Sequence, residues 1–410
     1  MMLVMMVIFV LAVIVGEFAY SMAVEVRLAR NTDYDEQLEW MGRSGVELAR
    51  YALVMKCPQQ QNIDALNQFW AGGTAPCSNA MPEISLKDVP MGAGKFSVTI
   101  VDMERKWDLN LVANSALPPM APAPPGGGPN GAPIPPPQGG VGQPGGPGGV
   151  PPGGPIPPPG PGVQMEVMQR ALNEIGVTDA SQASTIIESI VDWISRGGEP
   201  HFNGAKTDYY QRLSPPYYCK NGNIDDLSEL LLVKGVTPEI YWGSNSTNHP
   251  VSAYQQHEGG FTQPTASTRG PMHNNEQPVY PVGLHDLFSP MGGRLNINTA
   301  SVQALQLIPG IDESTAQQIV HQRAGPDGID GTEDDLPFQN PGELNSANLQ
   351  GGIAPGIQAS QLARYCDVRS YVFEVHVDAE INGYKRTFIG IVSRGGMSAQ
   401  ATKCVKFYWN

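Results

Sequence analysis

The stretch Met1-Met-Leu-Val-Met-Met-Val-Ile-Phe-Val-Leu-Ala-Val-Ile-Val-Gly16, running on to Val24, decides how this chain is organised. It carries no charge from Met1 to Gly16, and Glu17 is the only charged residue before Glu25. About 24 helical residues at a rise of 1.5 Å span about 36 Å, enough to cross a hydrocarbon core of about 30 Å. After Glu25, Arg27 and Arg30 the pattern turns amphipathic, with no proline before Pro58. Leu38, Met41, Gly45, Leu48, Ala52 and Met55 recur at three- and four-residue steps, which lines them along one helix face. The spacing predicts one continuous helix to about residue 56, wrapped by lipid first and packed against protein later. A signal peptide cut after Ser21-Met22-Ala23 would also show an apolar run, but no basic region precedes it here. A plain single-span anchor leaves the uninterrupted amphipathic stem unexplained.

The rest of the chain bounds the function classes. Its 410 residues suggest two or three domains, and 25 basic against 39 acidic residues give a net charge of −14. That surface repels nucleic-acid phosphates, and no basic tract offsets it. The five cysteines, Cys57, Cys77, Cys219, Cys366 and Cys404, form no C-x-x-C pair, so a zinc ribbon or a thioredoxin-like centre is unsupported. Outside an inner membrane disulfides are permitted, and Cys57–Cys77 and Cys366–Cys404 are the candidate pairs, with one thiol left over.

Strand and helix periods then divide the chain. A short helix is expected over 62–70. Gly94-Lys-Phe-Ser-Val-Thr-Ile-Val-Asp102 alternates as a strand with Phe96, Val98 and Ile100 on one face, and leads into Trp107-Asp-Leu-Asn110. Residues 118–162 are almost wholly Pro and Gly without charge, which can form no core and reads as a linker. Residues 163–365 are helical in outline, with helices around Met165–Ile175, Ile186–Ile194 and Leu227–Val233 ending at glycines. Leu230-Leu-Leu-Val-Lys-Gly-Val-Thr237 and Leu305-Gln-Leu-Ile-Pro-Gly-Ile-Asp312 repeat one another, each reading as helix, glycine turn and N-cap. From Tyr371 the period becomes two, and Asn382-Gly383 marks a hairpin whose return strand is 387–393. The resulting division is a membrane segment 1–24, a stem with first strands 25–117, the linker 118–162, an inserted α-helical domain 163–365, and a C-terminal β-hairpin 366–410.

Two motifs invite chemistry. Leu295-Asn-Ile-Asn-Thr-Ala300 with Leu307-Ile-Pro-Gly-Ile-Asp312 resembles a helix-hairpin-helix, which binds DNA phosphate through backbone N–H groups at a helix start. Asp312 stands where such a unit needs a second glycine, and a carboxylate there opposes phosphate, so a packing hairpin is the expectation. Asp327, Asp330, Glu333, Asp334 and Asp335 crowd one loop as tentative calcium ligands, because calcium takes six to eight oxygens. No nucleophile elbow, Walker loop, H-E-x-x-H or dinucleotide fingerprint occurs, and His249, His257 and His273 lie in a polar stretch. The expectation is a protein with no catalytic residues.

Taken together, several stretches resemble the K-type minor pseudopilin family of the type II secretion system (general secretion pathway protein K). They are Val24-Glu-Val-Arg-Leu-Ala-Arg-Asn31, Gly45-Val-Glu-Leu-Ala49, Trp107-Asp-Leu-Asn110, Ile190-Val-Asp-Trp-Ile194, Asp208-Tyr-Tyr210, Pro215-Pro-Tyr217, Ser228–Glu239, Leu295–Ala300 and Asp334-Asp-Leu-Pro-Phe338. The resemblance implies an α+β, type IV pilin-like fold carrying a large inserted α-domain. It also implies trimming by a prepilin peptidase, a single pass through the bacterial inner membrane and a periplasmic head. Its partners would be the I- and J-type minor pseudopilins in a tip complex, and its role would be to promote pseudopilus assembly for protein export. If Met1 is the mature start, Met5 replaces the glutamate by which most pilins contact the subunit above, which suits a cap. The Pro/Gly segment is unusual for that family. The competing readings are a membrane-anchored DNA-uptake protein using its hairpins and a minor pilin of a related type IV filament.

Overall fold

In a computed structural model the described residues are 1–55, 60–73, 85–114, 161–243, 280–345, 359–395 and 401–409. The first element is a single helix, α1 (Met2–Val54), unbroken across the change from apolar to amphipathic sequence. Its side chains from Val4 to Leu28 stand exposed, and it is the one described helix long and apolar enough to cross a membrane. Lower down, Leu38, Met41, Val46, Ala49, Ala52 and Leu53 are buried against a five-stranded antiparallel sheet.

That sheet runs β1 (Val89–Met91), β2 (Gly94–Asp102), β7 (Val372–Ile381), β8 (Tyr384–Arg394), β9 (Thr402–Trp409) in spatial order. Strands β2 and β7 pair along their whole length, Val98 opposite Val377, although the chain makes a long excursion between them. Everything between Asp102 and Val372 is therefore an insertion into one sheet. Phe96, Val98 and Ile100 of β2 are buried, as the alternation predicts.

Helix and sheet approach closely because small residues meet there. A side-chain carbon on Gly45 would lie 2.5 Å from Val377 Cγ1, one on Gly42 would lie 2.6 Å from Phe388, and one on Gly390 would lie 2.7 Å from Val46. Gly45 belongs to the predicted stem face because the sheet leaves no room for more.

The insertion has its own apolar core. Short parallel pairs close it on itself near its two roots: β3 (Trp107–Asp108) with β4 (Phe288–Ser289), and β5 (Leu295–Asn296) with β6 (Cys366–Asp367). Its helices among the described residues are α2 (Leu109–Asn114), α3 (Pro161–Ile175), α4 (Ala180–Ile194), α5 (Thr207–Tyr210), α6 (Pro238–Trp242), α7 (Leu284–Leu287), α8 (Val302–Gln306), α9 (Glu313–Arg323) and α10 (Ala359–Tyr365). Leu172, Ile175, Ile186, Ile190 and Ile194 fill the core that their helical spacing assigned to them.

Several local expectations change. The 62–70 stretch is turns ending in a 3-10 turn (Phe69–Ala71), pinned by Gln68, whose Nε2 donates to the Ile63 carbonyl at 3.1 Å. Leu227–Leu232 is a 3-10 helix, with Asp226 and Glu229 forming a capping box at its start. The C-terminal hairpin gains a third strand, β9, because Thr402–Trp409 pairs with β8 around a bulge at Ile391/Val392. Cys366 and Cys404 are free thiols, which corrects the expected pair. Cys366 is buried beneath α10, donating to the Leu362 carbonyl, whereas Cys404 is exposed on the sheet's outer strand. Cys57, Cys77, His249, His257, His273 and most of the 118–162 linker lie outside the described residues.

Candidate functional site

The residues that join insertion to head form a buried polar seam. Asp102, at the end of β2, accepts hydrogen bonds from Ser370 Oγ (2.6 Å), Thr299 Oγ1 (2.5 Å), Asn296 Nδ2 (3.3 Å) and the Glu104 N–H (2.8 Å). Asn296 Nδ2 also reaches Ser370 Oγ at 2.7 Å and the Asp64 carbonyl at 3.1 Å. Arg394 of β8 pairs with the Asp64 carboxylate, donates to the Leu53 carbonyl of α1 at 3.2 Å and lies over the Phe373 ring. Stem, sheet and inserted domain thus meet at one cluster.

Its electrostatics sort the carboxylates into roles. Burial pushes the Asp102 carboxyl up to about 6, against the pull of its Ser370 and Thr299 hydroxyl donors, so it is largely ionised at neutral pH. Burial, reinforced by the neighbouring Asp102 charge, pushes Glu104 up to about 9, so Glu104 is a neutral acid. Asp108 is also raised by burial, to about 6. Buried charges this well paired resist removal of either partner. Such an arrangement holds two bodies in fixed orientation.

Of the motifs singled out in the sequence, Asn296 and Thr299 reach the sheet at this junction, and the others hold the inserted domain together beside it. Trp107 Nε1 donates to the Ala304 carbonyl at 2.9 Å. Asn110 donates to the Ile224 and Pro290 carbonyls and accepts from the Ile224 N–H at 2.8 Å. Asn298 exchanges two hydrogen bonds with Phe338, both at 2.9 Å. Asp64, Ser370 and Arg394 gave no sequence signal, because their partners come from remote parts of the chain.

The two hairpin units share one geometry. Gly235 (φ +87°) and Gly310 (φ +88°) adopt the left-handed turn that favours glycine. Thr237 caps α6 by accepting the Ile240 N–H, and Asp312 caps α9 by accepting the Thr315 N–H at 2.8 Å. The Asp312 carboxylate thus fills the helix start that a phosphate would need.

The acidic loop is knitted to itself. Asp330 forms a two-pronged pair with the buried Arg323 guanidinium at 3.0 and 2.8 Å, and Arg323 also donates to the Ile297 and Ala300 carbonyls. Asp327 accepts from the Ile329 N–H, Asp334 from the Asp327 N–H and Thr332 hydroxyl, and Asp335 from the Gly331 and Thr332 N–H groups. Glu333 stays exposed. Among the described residues no three acidic, His or Cys side chains converge as a metal site.

A long helix apolar enough to cross a membrane under an antiparallel head defines a pilin-like architecture, here with a helical domain spliced into its sheet. Residues 161–243 match the family model of type II secretion system protein K, and residues 292–330 match the helix-hairpin-helix motif. The putative type II secretion system protein K of Escherichia coli (strain K12) is 33% identical over 76 residues, covering 18% of this chain and 23% of that protein. The protein K of Pectobacterium carotovorum is 32% identical over the same length, with the same coverage. The chain therefore aligns with under a quarter of the length of these curated relatives. A chain of the GspK–GspI–GspJ complex from enterotoxigenic Escherichia coli shares the fold, with a TM-score of 0.55 and 17% identity over 93% of this chain and 99% of that one. Over residues 161–243 the chain is similar to the type II secretion system protein K family.

Proposed function

We propose that this protein is a minor pseudopilin of a type II secretion system, placed at the pseudopilus tip, where it promotes assembly for export of folded proteins. The observation that carries this reading is the uninterrupted pairing of β2 with β7 around the inserted domain. The sheet is built as a pilin-like head, and the seam fixes the inserted domain rigidly onto it. A subunit bearing such a mass leaves little room for another head above it. The head lies in the periplasm, the anchor in the inner membrane, and the role is structural, without catalysis.

The partners in this proposal are the I- and J-type minor pseudopilins of the same system. The test is co-purification of the full chain with both in detergent. A stable three-protein complex supports the reading, whereas failure to join under conditions in which the other two associate refutes it. The DNA-uptake alternative is disfavoured by the Asp312 carboxylate at the hairpin and the net charge of −14. We further propose a hard-cation role for the loop holding Asp327, Asp330, Glu333, Asp334 and Asp335, on its density of carboxylates. Calcium should raise the melting temperature of the wild type and not of Asp334→Asn; an unchanged wild type dismisses the role.

A further inference from the structure

The head sheet has two edges, and they are not equivalent. At one end β1 is three residues long with Pro90 in the middle, which blunts it against further pairing. At the other end β9 runs for eight residues, and among the described residues no strand pairs with its outer side. We propose that this outer side of β9 is a strand-addition site for an extended segment of another protein that alternates carboxylate with apolar side chains. The inference rests on the head alone and not on the secretion reading.

The side-chain order of β9 specifies that partner. Phe388 and Gly390 of β8 face α1, and their cross-strand neighbours are Trp409 and Phe407. Ile389, Ile391 and Ser393 face the other way, opposite Tyr408, Lys406 and Lys403. The bulge brings Lys403 and Lys406 to the same side although they are three residues apart. The stem side of the edge is therefore aromatic, and the far side carries the strand's only two charges, both positive, in a protein of net charge −14. Lys406 is tethered to Asp225, donating to its carbonyl at 3.0 Å and lying 3.9 Å from its carboxylate, whereas Lys403 is exposed without an ion-pair partner among the described residues. Trp409 is 62% exposed and Val405 51%, more apolar surface than a blunted edge leaves open.

An added strand continues the alternation of its neighbour, so apolar residues would lie beside Phe407 and Trp409 and carboxylates beside the lysines. A cleft of about 590 Å³ between sheet and inserted domain reaches Lys406 and Tyr408, giving side chains on that side space; Asp225, Asp226 and Glu374 also line it, which leaves the exposed Lys403 end as the part of the edge most open to a carboxylate. A second copy of this chain fits poorly. Antiparallel self-pairing centred between Cys404 and Val405 sets Lys403 against Lys406, parallel pairing sets each lysine beside its twin, and like charges across strands repel.

The test uses the full chain in detergent micelles and fluorescent eight-residue peptides followed by anisotropy. One peptide alternates Val or Thr with Glu, a second has Lys in place of Glu, and two more are the Glu peptide N-methylated along one or the other edge. The Glu peptide should bind saturably, and N-methylation of one edge only should abolish binding. Lys403→Glu with Lys406→Glu should weaken it about tenfold or more and transfer the preference to the Lys peptide. Equal binding of Glu and Lys peptides, no binding, insensitivity to both N-methylations, or indifference to the charge reversal in a variant of unchanged circular dichroism overturns the proposal. The three-protein co-purification is scored separately, so either idea can fail without the other.

Discussion

Replacing Glu104 by glutamine should stabilise this protein, and by an amount that depends on pH. Glu104 is buried where β2 ends, and its carboxyl oxygen accepts the Tyr371 N–H at 3.1 Å. Glutamine keeps that acceptor and the shape while removing the ionisable group. Burial and the nearby Asp102 charge raise the folded-state value to about 9 from an ordinary 4.5. A group raised in the folded state favours folding fully below its unfolded value, and that contribution is lost as pH rises through the folded value. At pH 7.5 the unfolded chain has released this proton and must recover it on folding. Three units at about 1.36 kcal/mol each give an upper bound of about 4 kcal/mol. Glu104→Gln escapes that cost at pH 7.5 and gains almost nothing at pH 4. The assay is thermal or urea unfolding of wild type and variant across pH 4 to 9, followed by tryptophan fluorescence in detergent. An equal effect at pH 4 and pH 7.5, or destabilisation at pH 7.5, would refute the neutral buried acid.

Three further outcomes follow from the packing. Gly45→Ala places a carbon 2.5 Å from Val377 Cγ1; overpacking costs about 1–3 kcal/mol and the helix gains about 1 kcal/mol, so unfolding should occur at lower temperature, with partial recovery when Val377→Ala is added. Asp330→Ala strands the buried Arg323 guanidinium and should cost about 3 kcal/mol in the absence of calcium, while Asp330→Asn costs less. Asp312→Ala removes a helix cap and should lower the midpoint of urea unfolding; this variant should also fail to shift duplex DNA at low salt, and a clear shift would reopen the DNA reading.

The legible parts were those written in local periods. The stem face, Leu38 through Ala52, follows from helical spacing, and β2 and β7 follow from alternation, because one buried side forces apolar residues to recur at the element's own period. The two hairpins were legible because a left-handed turn leaves glycine at Gly235 and Gly310 and a capping oxygen two residues later. Strand β9 was missed because Lys403 and Lys406 share a side through a bulge, which breaks the period-two pattern. The Cys366–Cys404 pairing failed because nearness along the chain's C-terminal part says nothing of layer: one thiol lies under the inserted domain, the other on the outer strand.

By itself the sequence determined a membrane-length helix that continues as a stem, an acidic chain without catalytic motifs, and a helical insertion in an antiparallel head. Those are consequences of solvent, charge and local period, and each is decided within a few turns or one strand. Only the tertiary structure decided the seam, because Asp64, Asp102, Asn296, Ser370 and Arg394 become partners only when stem, sheet and insertion close on one another. A buried polar group's meaning is set by what surrounds it, and that environment does not exist until the remote strands have paired.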